Sequence, residues 1–195
     1  IKMNFRVAFV GEHGGRLSAA VTRMLRAIEL RSGLTLPRTA TGEFAPATDA
    51  HSAGLVIACA AAGPAVPRLG DDESYQLTIG PTQARLEAPT EWGILRGLAT
   101  ITQLLQTDAG GWFLPAMTIS DQPRFPWRGL LIDVCRHWQP MDVIKRNLDG
   151  MALVKLNVLH LHLTEDQGFR IESKRFPRLQ ELGSDGHYFT QDQMR

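Results

Sequence analysis

Two cysteines in a chain of 195 residues are too few for a disulfide framework. Cys59 and Cys135 each stand in an apolar, strand-like run, where a buried thiol is the ordinary outcome and says little about compartment. Long apolar runs are missing too. None reaches the roughly 18 residues of a membrane span, and the alanine-rich stretch 53–66 is broken by Gly63 and Pro64, so no membrane partner is expected. An excess of one charge is also absent: 21 basic against 20 acidic residues leave +1, which gives no polyanion-binding footprint and points away from nucleic acid. With 44% hydrophobic and 21% charged residues and no low-complexity tract, the chain can bury a core. At roughly 100–200 residues per domain, that means one large domain or two small ones. The first residue is Ile1, not Met, as expected of a processed or excised product, and the lack of a leader carries no information on secretion.

The first 120 residues read as a small α/β unit. Phe5–Val10 is a strand, Gly11–Gly15 a turn, and Leu17, Val21, Met24, Leu25 and Ile28 recur at helical spacing up to a stop at Ser32-Gly33. The turn GEHGG precedes a helix but lacks the spacing of either nucleotide-binding fingerprint, so it reads as a turn. Leu55–Ala60 is a second strand. Tyr75–Ile79 and Ala84–Ala88 alternate apolar and polar residues on either side of Pro81-Thr82, as a hairpin does. Thr90 is placed to cap a helix bearing Trp92, Leu95, Leu98, Ile101, Leu104 and Leu105, ending near Thr107, and Met117–Ile119 is a short strand. His13 and His51 stand alone as loop histidines, and no titratable cluster shows, so the unit reads as scaffold.

After Pro126 the pattern changes. The apolar run Gly129–Val134 carries Asp133 and leads into Cys135, Arg136 and His137; a helix follows, with Val143, Ile144, Leu148, Met151, Ala152 and Val154 at helical spacing and Lys155 at its end. Next comes NVLHLHLTEDQG, 157–168, an apolar run suited to a strand buried on both faces and ending in Thr164, Glu165 and Asp166. Strand, helix and strand in this order form a βαβ unit with parallel strands. Their ends place Arg136 and two or three carboxylates on one rim. The guanidinium suits vicinal hydroxyls or a carboxylate, and it equally suits a structural ion pair with Asp133 or Asp166; the residues alone leave both open. His160 and His162, two apart, share one face of their strand, which admits zinc, but no third ligand stands at a diagnostic spacing and interior hydrogen-bonding histidines explain them as well. Beyond Gly168 a loop leads through Tyr188–Thr190 into QDQMR, the first turn of a helix.

These residues resemble the β-N-acetylhexosaminidases of glycoside hydrolase family 20. The resemblance is carried by RGLLIDVCRHW (128–138), DVIKRNLDGMALVKLNVLHLHLTEDQGFRIES (142–173), FPRLQELG (176–183) and HYFTQDQMR (187–195), and more weakly by DESYQLTI and EWGILRGLATITQLLQ in the first part. It implies an α/β fold with a small N-terminal α+β domain, 1–122, followed by the start of a (β/α)8 TIM barrel, 123–195, of which two strands are present. It implies hydrolysis of terminal β-linked N-acetylglucosaminide or N-acetylgalactosaminide, in which the substrate's own acetamido oxygen attacks the anomeric carbon, so that no enzyme carboxylate becomes the nucleophile. No metal and no cofactor are implied. By resemblance Arg136 holds the sugar's O3 and O4 hydroxyls, Glu165 joins a relay through a later histidine to the catalytic glutamate, and Asp133, His137, His162 and Asp166 form the supporting shell. Glu165 stands where aspartate is commoner, and Phe169 where tryptophan is usual. The adjacent Asp-Glu pair that performs the chemistry matches nothing in these residues, so the chain alone is expected to be inactive, with the remainder of the barrel as its expected partner. The resemblance is compatible with a periplasmic, secreted or lysosome-like compartment.

Two rival readings compete with it. One is a noncatalytic carbohydrate-binding or interaction fragment; the other is a metal-dependent hydrolase using His160 and His162.

Overall fold

A computed structural model describes residues 1–11 and 13–195, and the chain forms two compact units, Ile1–Pro126 and Trp127–Arg195. Glu12, within the glycine turn GEHGG, lies outside the described residues. The architecture is mixed α/β.

In the first unit, five strands form one sheet in the order β1-β2-β4-β3-β7. They are β1 (Val7–Val10), β2 (Leu55–Ala61), β3 (Tyr75–Ile79), β4 (Ala84–Thr90) and β7 (Met117–Asp121). β1, β2 and β4 run parallel, while β3 pairs antiparallel with both β4 and β7. Helices α1 (Gly15–Ser32) and α2 (Glu91–Leu104) supply one side of the core. Leu17, Val21, Met24, Leu25 and Ile28 bury the periodic face of α1 against Leu55, Ile57, Leu77 and Leu86. Each such side chain removed from water contributes roughly 1.5–3 kcal/mol. The helix stops at Gly33, whose φ of 71° lets its N–H return to Glu29 O. A smaller cluster of Ala8, Ala53 and Val56, with Ala47 and Ala50 against it, stands apart from this core.

α2 lies unusually close to the sheet. A Cβ on Gly93 would overlap the Ser74 carbonyl oxygen and come within 2.7 Å of Ala88 Cβ, and one on Gly97 would strike the Leu86 side chain. Only glycine permits that approach. The helix ends at Leu104, short of Thr107, because Leu105 turns extended, with φ −60° and ψ 119°. Residues 106–113 then form a hairpin that the sequence reading lacks. Its strands are β5 (Gln106–Asp108) and β6 (Gly111–Phe113), with Gly110 N–H donating to Asp108 Oδ1 at 2.7 Å and Gly111 at φ 105°. Thr90 sits at the N-cap but its hydroxyl donates to Asp72 O at 2.6 Å, tying the strand end to the preceding loop instead of capping α2. The first strand starts at Val7, not at Phe5.

The second unit is built on β8 (Gly129–Asp133), α3 (Met141–Leu153) and β9 (Val158–His162), with β8 and β9 parallel as the βαβ reading requires. Val134, Ile144 and Phe189 are its buried centre, with Ile132, Leu159, Leu161 and Leu163 packed against them. The alternate face carries Leu131 beside His160 and Asp133 beside His162, and there Leu131 and His160 are exposed. The expectation that 157–163 is buried on both faces is therefore corrected: only the face toward Ile144 and Phe189 is packed within the chain.

Beyond β9, a tight hairpin of β10 (Thr164–Glu165) and β11 (Gly168–Phe169) and the short helix α4 (Arg178–Gly183) replace the expected loop. QDQMR makes a single turn, with Gln193 N–H on Thr190 Oγ1 at 3.2 Å and Met194 N–H on Thr190 O at 3.2 Å.

Candidate functional site

The C-terminal ends of β8 and β9 carry most of the candidate residues, because parallel strands in register deliver Asp133 and His162 side by side. Asp133 organises its own strand end. Its Oδ1 accepts the backbone N–H groups of Cys135 at 3.0 Å and Arg136 at 3.2 Å, and its Oδ2 accepts from Arg136 Nη1 at 2.6 Å. One carboxylate thus closes the turn after β8 and fixes the direction of the arginine that follows it. The Arg136 N–H, opposed by a desolvation penalty and joined by the guanidinium and the Cys135 N–H, holds the Asp133 carboxyl below the ordinary carboxylate range. Reciprocally, the hydrogen bond to Asp133 raises the already high pKa of Arg136.

Arg136 Nη2 reaches Glu165 Oε2 at 3.1 Å. The pairing predicted with Asp133 or Asp166 is thus realised with Asp133 and Glu165. Asp166 adds only a longer-range attraction, and its own N–H turns back to Glu165 Oε1 at 3.4 Å. The same Glu165 Oε2 lies 3.2 Å from His162 Nε2, which is also 3.1 Å from Thr164 O. The chain Asp133–Arg136–Glu165–His162 therefore spans the rim from one strand end to the other. Arg136 remains 51% exposed in its side chain, so its remaining N–H groups face solvent where a hydroxylated ligand can reach them. His137 is exposed beside it.

His160 projects from the same face as His162 but lies exposed, and among the described residues no group of three or more His, Cys, Asp and Glu side chains could hold a metal ion. His162 is instead engaged by Glu165. Cys135 is buried under the rim, with Sγ 3.2 Å from His162 O, and burial pushes its thiol pKa up.

Arg170 is the residue that sequence reading passed over. It is buried to 6% exposure and its guanidinium donates to four carbonyl oxygens, those of Cys135, Gln167, Ser184 and His187. A signal was present in Gly168-Phe169-Arg170: residues two apart on a strand share a face, and the glycine leaves room for the long side chain.

The first unit does hold charge clusters, contrary to its reading as free of them, but each is internally satisfied. Buried Glu91 accepts from Arg16 at 2.7 Å, with Arg16 stacked 4.4 Å from the centre of the Trp92 ring. Glu73 pairs with Arg96, and Tyr75 Oη bonds Thr100 Oγ1 and donates to Asp121 at 2.8 Å. Cys59 is half-buried and unbridged, and His13 stacks on Phe9 at 3.7 Å.

Comparison with known proteins places this rim in a family. The family model described as the glycosyl hydrolase family 20 catalytic domain matches residues 125–195, and that described as beta-acetyl hexosaminidase like matches 14–104. The chain belongs to glycosyl hydrolase family 20. Within family 20 it is 48% identical to the β-hexosaminidase subunit beta of Rattus norvegicus over 121 residues, 62% of this chain and 22% of the rat protein. It superposes on the Flavobacterium johnsoniae chitobiase with a TM-score of 0.90 at 42% identity, covering 100% of this chain and 29% of the chitobiase. A mutant Streptomyces plicatus β-hexosaminidase in complex with the product GlcNAc matches with a TM-score of 0.75 at 29% identity, over 99% of this chain and 38% of that one. The chain thus spans less than a third of the length of the rat subunit and of the chitobiase.

Proposed function

We propose that the protein containing this chain is a glycosidase that removes terminal β-linked N-acetylhexosamine, and that this chain supplies part of its sugar site. The observation that carries the reading is Arg136, pinned between Asp133 and Glu165 at the strand ends of a family 20 chain with its outer donors open to solvent. Planar paired N–H groups fit the vicinal O3 and O4 hydroxyls of a terminal sugar. The product complex of the Streptomyces plicatus enzyme supports N-acetylglucosamine as the bound unit.

In this reading residues 1–122 are an accessory α/β domain, and β8, α3 and β9, within 123–195, open a (β/α)8 barrel. Active sites of such barrels lie at the C-terminal strand ends, which is where Arg136 and Glu165 stand. Catalysis is retaining and substrate-assisted: the acetamido oxygen attacks the anomeric carbon while a glutamate outside these residues protonates the leaving oxygen. Glu165 acts on that acid at one remove, through a hydrogen-bond relay that tunes its pKa. Asp133 and His162 tie Arg136 and Glu165 into the rim, Asp166 adds a longer-range attraction to Arg136, and His137 stands exposed beside that arginine as part of the supporting surroundings.

The test is an assay of the full-length protein and of the 195-residue chain with a chromogenic β-N-acetylglucosaminide. Turnover by the full-length protein and none above background by the chain alone is the expected pair. Turnover by neither, with sugar still bound, would favour a noncatalytic carbohydrate-binding role.

A further inference from the structure

A buried guanidinium ordinarily has a carboxylate beside it, because an unpaired charge is costly to remove from water. Among the described residues none pairs with Arg170. Its charge is met by backbone dipoles alone. Nη2 donates to Cys135 O at 3.1 Å and Gln167 O at 3.4 Å, while Nη1 donates to Ser184 O and to His187 O at 3.3 Å. Nε is buried without a partner. Three of these carbonyls lie 14, 17 and 35 residues from Arg170, and that of Gln167 lies three residues before it. Cys135 precedes Arg136 in the turn after β8; Gln167 sits in the β10–β11 turn, next but one to Glu165; Ser184 is the C-cap of α4; His187 leads into the buried Phe189.

Gly168 makes the arrangement possible. A Cβ there would lie 2.5 Å from Nε and 2.6 Å from Cζ of Arg170. The guanidinium cannot retreat from it without breaking its bonds to the carbonyls. The backbone of Arg170 is held as well, with its N–H on Leu163 O at 2.8 Å and its carbonyl accepting from Phe189 N–H at 2.9 Å.

We infer that Arg170, in the space left by Gly168, is a positioning residue that fixes the two rim segments carrying Arg136 and Glu165 relative to each other, and so sets the geometry in which the sugar is bound. The inference rests on the sugar-site reading of that rim. Arg170 touches no sugar; it acts through the Cys135 and Gln167 carbonyls. The flat fork holds the Cys135 and Gln167 carbonyls from Nη2 and those of Ser184 and His187 from Nη1, a two-nitrogen geometry that the point charge of lysine does not reproduce.

Full-length protein carrying Arg170→Lys, Arg170→Met, Gly168→Ala or the Gly168→Ala/Arg170→Met pair is compared with wild type by amide hydrogen exchange and by steady-state kinetics on a chromogenic β-N-acetylglucosaminide. Exchange is expected to quicken together in 134–137 and 165–168 in every variant, with α3 unchanged. KM is expected to rise and kcat/KM to fall on the order of a hundredfold, the loss that a displacement of about 1 Å produces. The paired variant should be no worse than Arg170→Met alone, because both changes break one clamp. Lower thermal stability with wild-type KM, or quickened exchange in only one of the two segments, would overturn the inference. The exchange measurement needs no substrate: coupled loosening of both segments in a protein whose wild type does not turn over the hexosaminide would uphold the clamp and sink the enzymatic reading.

Discussion

Arg136 and Glu165 come from the ends of different strands and meet at 3.1 Å, with the guanidinium already tied to Asp133 at 2.6 Å. The pair is therefore oriented by one carboxylate and completed by another. Such an arginine is preorganised for a hydroxylated ligand, since little side-chain freedom remains to be lost on binding.

Replacing Arg136 with Met should damage binding far more than folding. Its ion pairs are half-exposed, and exposed pairs contribute little to stability. Hydrogen bonds from a charged donor are stronger than neutral ones, so KM in the full-length protein should rise by at least roughly tenfold. Arg136→Lys should recover little of it, because the planar fork is lost. Thermal melting and Michaelis–Menten kinetics on the same preparation check both halves; a wild-type KM in Arg136→Met would remove this residue from the sugar site.

Glu165→Gln keeps the size of the side chain and deletes its charge. The expected result is a lowered kcat with a displaced pH profile, because the acid it tunes loses a negative neighbour, while KM shifts less than in Arg136→Met. An unchanged pH–kcat curve would place Glu165 outside the relay.

Asp133 links the rim to acid stability. Its folded pKa is depressed, first by the Arg136 N–H, so the stabilisation it provides is fully present above the unfolded value of about 3.9 and is lost as pH falls through the lower folded value. Wild-type protein should thus lose stability below about pH 4 more steeply than Asp133→Asn, which has no charge to lose there. Urea midpoints measured between pH 3 and pH 6 report the difference; parallel curves would contradict it.

Gly93→Ala reverses a familiar trend. Alanine in a helix interior normally gains about 1 kcal/mol over glycine. At Gly93 the added Cβ would collide with the Ser74 carbonyl and crowd Ala88, so the substitution should destabilise by about 1–3 kcal/mol, the range for overpacking. Gly150, in α3, meets nothing within 4 Å, and Gly150→Ala should stabilise. Chemical denaturation of the two variants side by side should give opposite signs; equal signs would contradict the close approach of α2.

The amino-acid sequence by itself determined the regular elements that advertise themselves through periodicity: α1 from Leu17 to Ile28, the alternating β3–β4 hairpin, and the βαβ order of β8, α3 and β9. It also set Arg136 and Glu165 on one rim, because parallel strands end on the same side. Local periodicity could not show the β5–β6 and β10–β11 hairpins, whose strands of two or three residues are too short to establish an alternation. Nor could it choose between Asp133, Glu165 and Asp166 as partners of Arg136, since that depends on distances between strand ends. Arg170 is the clearest case. In sequence it is one more surface-prone cation, and only the folded chain, by bringing the carbonyls of Cys135, Ser184 and His187 to join that of nearby Gln167 around it, against Gly168, makes it a buried clamp.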